Sequence, residues 1–115
     1  MKNLKVCFVC IDGYYNLNVF DDYTYSIDTN IEYLETKSGI VDNFNEFEKK
    51  LNEVNILSWD SNYDSNIENP VRWNVTLDDY SSSGLEGNWP YTYDKLIEAI
   101  MIIDSKIDCF KANSN

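Results

Sequence analysis

The chain contains no histidine. Ser-His and Cys-His nucleophilic catalysis, His-ligated zinc and imidazole pH switching are therefore all excluded. Proline and glycine are scarce, at two and four residues, which rules out collagenous, Pro-rich and low-complexity classes. Positive charge is scarce too: nine Lys and Arg stand against twenty Asp and Glu, leaving a formal charge of −11 at pH 7. That is beyond the magnitude of roughly 2–8 that keeps a small domain soluble. It disfavours direct contact with nucleic acid or an anionic membrane. Long hydrophobic runs are missing as well. The longest apolar stretch near the N-terminus, Val6 to Ile11, is too short for a signal or membrane-spanning segment. Three cysteines cannot all pair, so a reduced, cytoplasmic setting is expected.

What remains is a sequence able to build a core. Hydrophobic residues make up 43% and aromatic residues 15% of 115 positions, enough for one domain spanning 1–115 and too few for two independent cores. Leu4 to Ile11 is apolar on both faces, as a central strand is, and Asp12-Gly13 breaks it. Tyr23 to Ile27 alternates aromatic and small polar residues. With Ile31 to Lys37 beyond the turn-like Asp28-Thr29-Asn30, it predicts a hairpin closed by Ser38-Gly39.

Asp42 suits an N-cap for an amphipathic helix. Phe44, Phe47, Leu51 and Val54 fall on one face, with Glu46, Lys49, Lys50 and Glu53 on the other. Asp60 to Asn69 has no hydrophobic period and reads as a loop. Val71, Trp73, Val75 and Leu77 then alternate with polar residues as a half-buried strand, turned by Asp78-Asp79 into a hairpin with Tyr80 to Leu85. After the Gly87-to-Pro90 bend, Thr92 is placed to cap a last helix whose stripe runs through Leu96, Ile100, Ile103, Ile107 and Phe110. Ala112 to Asn115 reads as a frayed end. The predicted fold is α+β: an antiparallel sheet of about five strands with two helices on one face and the other face wholly or partly free.

Several patterns suggest chemistry without completing it. Cys7-Phe8-Val9-Cys10 matches C-x-x-C, but in a strand residues three apart point to opposite faces, so one ion cannot take both thiols. Asp60, Asn62, Asp64, Asn66 and Glu68 alternate like the early ligands of a calcium loop. Ser65 stands at the sharp-turn glycine, however, and Val71 at the terminal bidentate glutamate. Asp21-Asp22 and Asp78-Asp79 are paired carboxylates with no phosphate cradle beside them, a pattern typical of turns. Ser81 to Ser83 lack a nucleophile elbow. No residue set reads as catalytic and none calls for a cofactor or metal.

The charge distribution is more informative. Residues 12–35 carry six carboxylates, among them Asp21, Asp22, Asp28 and Glu32, and no Lys or Arg. Residues 60–88 carry six, including Asp78 and Asp79, against Arg72 alone. The first segment also holds Tyr14, Tyr15 and Tyr23, and tyrosine anchors interfaces at low entropy cost. Together these nine residues form the expected binding surface for a basic protein partner.

Trp59-x-x-x-Tyr63, Trp73-x-Val75-x-Leu77 and Gly87-Asn88-Trp89-Pro90 leading into the last helix resemble a pattern of small acidic bacterial proteins, and in size and acidity the chain is similar to toxin-immunity proteins and phage inhibitors of nucleases, including anti-CRISPR proteins. The resemblance covers the C-terminal half. Leu85 and Gly87 stand where that pattern has Gly and Asn before the bend. It implies a non-enzymatic inhibitor that occludes a nucleic-acid-acting protein. The alternatives are a metal-dependent enzyme built on paired carboxylates, or a subunit that self-associates through its open sheet face.

Overall fold

Leu4–Cys10 forms strand β1, and the computed structural model, which describes residues 3–112, places it at the centre of the sheet. The remaining elements in chain order are β2 (Gly13–Val19), β3 (Thr24–Thr29), β4 (Lys37–Ile40), α1 (Phe44–Val54), β5 (Asn62–Tyr63), β6 (Arg72–Leu77), β7 (Tyr80–Leu85) and α2 (Tyr93–Ile100). Short 3-10 helical segments lie at Ile56–Ser58 and Ser105–Phe110. The strand order is β4-β3-β2-β1-β6-β7-β5.

The α+β class is as expected, but the sheet has seven strands and is mixed. Residues 62–63, within the expected loop, pair parallel with β7 through Asn62 opposite Ser83 and Tyr63 opposite Gly84. The other addition is β2. Tyr15, Leu17 and Val19 face the core and Tyr14, Asn16 and Asn18 face away, a period of two that its asparagines obscure because they disfavour strands. The hairpin predicted for residues 23–37 is shifted. Its return strand is β4, which includes Ser38 and Gly39, while Ile31 and Leu34 are buried in a turn closed by Leu34 N–H donating to the Ile31 carbonyl.

Both helices cover the same face. Phe47, Leu51 and Val54 of α1 and Tyr93, Leu96, Ile97 and Ile100 of α2 pack on Leu4, Val6, Phe8, Leu17 and Val75. Asn43, not Asp42, occupies the α1 cap position, and its side chain makes no capping bond. Thr92 caps α2 by position only. Its hydroxyl donates to the Val54 carbonyl at 2.6 Å and accepts from Trp59 Nε1 at 2.9 Å, tying the end of one helix to the start of the other. The last helix stops at Ile100. Four residues later the buried Asp104 accepts from the Tyr15 hydroxyl at 3.1 Å and from Lys106 N–H at 3.2 Å, and the chain continues as a 3-10 turn that still buries Ile107 and Phe110. The expectation for residues 113–115 lies outside the described residues.

Four aromatic residues of the C-terminal half form one packed group: Trp73 lies 5.8 Å from Trp59, 5.7 Å from Tyr63 and 5.8 Å from Tyr93 between ring centroids. Gly84 leaves room for it. A Cβ at this position would come within 2.6 Å of Trp73 Cζ2 and 2.7 Å of the Tyr63 backbone oxygen. Gly84→Ala is therefore expected to destabilise the protein by about 1–3 kcal/mol through overpacking, measured by urea denaturation. A change near zero would show that β5 gives way freely.

Candidate acidic docking end

The register of β1 decides where the carboxylates go. Leu4 lies opposite Val19 of β2 and also opposite Leu77 of β6. The turns that follow those two residues, 20–23 and 78–79, therefore emerge at the same end of the sheet. Asn3 joins them: its side-chain oxygen accepts from Asp21 N–H at 3.1 Å, its N–H donates to Asp78 Oδ1 at 3.0 Å, and its carbonyl accepts from Asp78 N–H at 2.9 Å. Asp21, Asp22, Asp78 and Asp79 are all exposed at this end.

The turns are tightly specified. Asp22 Oδ1 accepts from the Thr24 hydroxyl at 2.6 Å and from Thr24 N–H at 3.1 Å, an Asx-type closure. Those bonds, the hydroxyl's foremost, hold the Asp22 carboxyl below its ordinary pKa. Tyr23 sits at φ 73° and Asp78 at φ 54°, in the left-handed region, which is unfavourable for a bulky tyrosine. Tyr23 keeps this conformation with its carbonyl accepting from Val41 N–H at 2.8 Å and its ring 4.1 Å from that of Phe44. The ring is nonetheless 51% exposed, and neighbouring Phe20 is 41% exposed.

The other expected contact residues lie elsewhere. Tyr15 is fully buried, and its hydroxyl is committed to Asp104; burial and that carboxylate push its pKa far up. It belongs to the core and has no surface to offer a partner, because position 15 falls on the inward side of β2's alternation. Tyr14 and Asp28 are on the uncovered sheet face toward the opposite end, where the Tyr14 hydroxyl donates to Asp28 Oδ2 at 3.4 Å. Glu32 follows β3 at that same far end, near Tyr33, whose hydroxyl donates to Asp12 Oδ2 at 3.3 Å. At about 3.3 Å per residue, the length of β1 separates the two acidic ends by roughly 20 Å. The Debye length at physiological salt is about 8 Å, so they act as separate fields.

The uncovered sheet face between them is mostly polar and carries one carboxylate, Asp28. Its rows run through Asp28, Asn16, Cys7, Asn74 and Ser83 and through Ser26, Asn18, Lys5, Thr76 and Ser81. Burial raises the Cys7 pKa, and burial with nearby Asp108 raises that of Cys109 to about 11, so both thiols are protonated near neutral pH. The Asp60-to-Glu68 loop is held through backbone groups: the Ser82 hydroxyl donates to the Asp60 carbonyl at 2.6 Å, the Tyr80 hydroxyl donates to the Trp59 carbonyl, and Asn88 Nδ2 donates to the Asp64 carbonyl at 2.8 Å. Among the described residues no three Cys, Asp or Glu side chains gather as metal ligands, and no helix is long and apolar enough to cross a membrane.

The convergence of the two turns was not evident from sequence, since it depends on which strands flank β1. Phe20 was missed because it stood outside any assigned element. The chain matches no known family, no curated protein and no solved structure. Trp59, Tyr63, Trp73 and Trp89, the aromatic residues of the C-terminal pattern, are packed in or against the core.

Because the folded pKa of Asp22 is depressed, its carboxylate stabilises the turn above the ordinary Asp value of about 3.9, and this contribution is lost as the pH falls through the depressed value. Thr24→Val is expected to move Asp22 titration up toward the ordinary range, followed by carboxyl-carbon NMR. An unchanged titration would remove the hydroxyl from the account.

Proposed function

We propose that the protein is a non-enzymatic binding protein that inhibits a nucleic-acid-acting protein, such as a toxin nuclease or a CRISPR effector, by occluding its basic surface stoichiometrically. The observation that carries this reading is the joining of two acidic turns by Asn3 beside exposed Tyr23 and Phe20. Surfaces that hold nucleic acid are dense in Lys and Arg, and closely spaced carboxylates compete for the same cations that phosphates engage.

Each residue class has its own task. Asp21, Asp22, Asp78 and Asp79 raise the rate of encounter by steering. Tyr23 and Phe20 bury apolar area once contact is made and slow dissociation. Strain at Tyr23 supports this assignment: a left-handed tyrosine adds nothing that Gly or Asn would not supply more easily to the turn, whereas its ring supplies contact area. Asp28, level with Cys7 and so about 10 Å along β1 from Leu4, and Tyr14 and Glu32 beyond it are reached only by a partner broad enough to extend over the sheet.

The partner, captured from the source cell and purified, provides the test. Replacing Asp21 and Asp22 together with Lys is expected to lower the association rate by about tenfold or more at low salt, with the dissociation rate little changed and the fold intact by circular dichroism. The difference is expected to shrink as salt rises. An association rate equal to that of the unaltered protein would contradict docking through this end.

A further inference from the structure

A groove of about 480 Å³ opens between the C-terminal half of α1 and the end of β6. Its inner side is apolar, formed by Leu51, Ile56 and Leu77, and its rim carries Glu48 and Asn55. Leu57 stands on the lip with 56% of its surface exposed. The backbone fixes it there. Asn55 ends α1 in the left-handed conformation, at φ 53°, with its N–H donating to the Asn52 carbonyl at 3.2 Å. The next three residues make one 3-10 turn, closed by Ser58 N–H to the Asn55 carbonyl at 3.0 Å and Trp59 N–H to the Ile56 carbonyl at 2.9 Å. That turn directs Ile56 inward, 2% exposed, and leaves Leu57 outside.

The groove adjoins the acidic end. Leu77, which lines it, is followed directly by Asp78 and Asp79. An apolar floor that runs on directly into the Asp78-Asp79 turn is complementary to an aliphatic side chain carried beside basic residues.

We infer that this groove is the anchor pocket of the docking end and takes one leucine-like side chain of a partner segment flanked by Lys or Arg. The inference rests on the proposed function and narrows it: the partner's basic surface must present an aliphatic residue within its cluster of cations. Steering by the turn carboxylates brings the segment in. Burial of the aliphatic side chain against Leu57 and Leu77 then fixes its register, which charge alone does not.

Three capped pentapeptides, KKLKK, KKSKK and EELEE, titrated into the ¹⁵N-labelled protein separate the possibilities. KKLKK is expected to bind with a Kd of about millimolar or tighter, shifting the amides of Leu51, Asn55, Leu57 and Leu77 together with those of Asp78 and Asp79. Its affinity is expected to exceed that of KKSKK by about tenfold, the scale of burying one aliphatic side chain in part. Leu57→Ser, a change at an exposed position, is expected to erase that advantage while leaving KKSKK binding unchanged.

Equal binding of KKLKK and KKSKK, with shifts confined to the acidic turns, would overturn the anchor pocket and leave docking by charge standing. Absence of shifts at the turns with either basic peptide would count against the docking end itself, and the anchor would fall with it. Binding of EELEE in the groove as tight as that of KKLKK would overturn the complementarity on which the assignment depends.

Discussion

The alternation of β1, with Leu4, Val6 and Phe8 buried under the helices and Lys5, Cys7 and Val9 on the uncovered side, is the constraint from which the rest follows. A slip of one residue against either neighbour would turn its apolar set toward solvent, so the register is fixed on both flanks by burial. That register sets Val19 and Leu77 across from the same residue, Leu4. Two turns more than fifty residues apart in sequence thereby become neighbours. Asn3, one position before the strand, has both its backbone and its side chain in place to join them.

This geometry explains how a strongly acidic chain has unequal faces. The carboxylates are concentrated where strands end, because Asp favours turns and disfavours strand interiors. The strand interiors on the uncovered side carry Asn, Ser and Thr with Lys5, Arg72 and the single carboxylate Asp28 among them. The helical side buries its apolar stripe and pairs part of its surface charge, as in Lys106 with Glu35 at 3.7 Å and Lys111 with Glu98 at 3.8 Å. Exposed rings accompany the carboxylates at both ends, Tyr23 and Phe20 at the 20–23 turn and Tyr33 at the far end. The far end differs in that the Tyr33 hydroxyl is engaged with Asp12.

Much of the fold was legible in the residues. The central strand, the amphipathic α1, the hairpin of β6 and β7 and the turn at Asp78-Asp79 follow from periodicity and turn chemistry. Strand β2 carried the same signal at Tyr15, Leu17 and Val19, hidden by intervening asparagines that earn their place on a polar sheet face. Ile31 and Leu34 are three residues apart, a spacing that falls on opposite faces of a strand, and both are buried because the segment is a tight turn. Beyond the early end of α2, Asp104 meets Tyr15, a contact across 89 positions that no local pattern contains. The candidate site was legible in composition but not in arrangement. Acid and tyrosine in the first hairpin pointed to a binding surface, yet a strand's two faces sent Tyr15 inward, and strand length carried Tyr14, Asp28 and Glu32 away from Asp21, Asp22 and Tyr23.

The central claim is that negative potential is deepest where the two turns meet at Asn3. Paramagnetic relaxation of backbone amides by a cationic and by a neutral nitroxide cosolute measures that potential residue by residue. The account predicts the largest ratio of cationic to neutral enhancement at residues 20–23 and 78–80, and the smallest on the uncovered sheet face near Lys5 and Arg72. A ratio that is uniform over the surface, or greatest near Asp12 and Glu32, would contradict it.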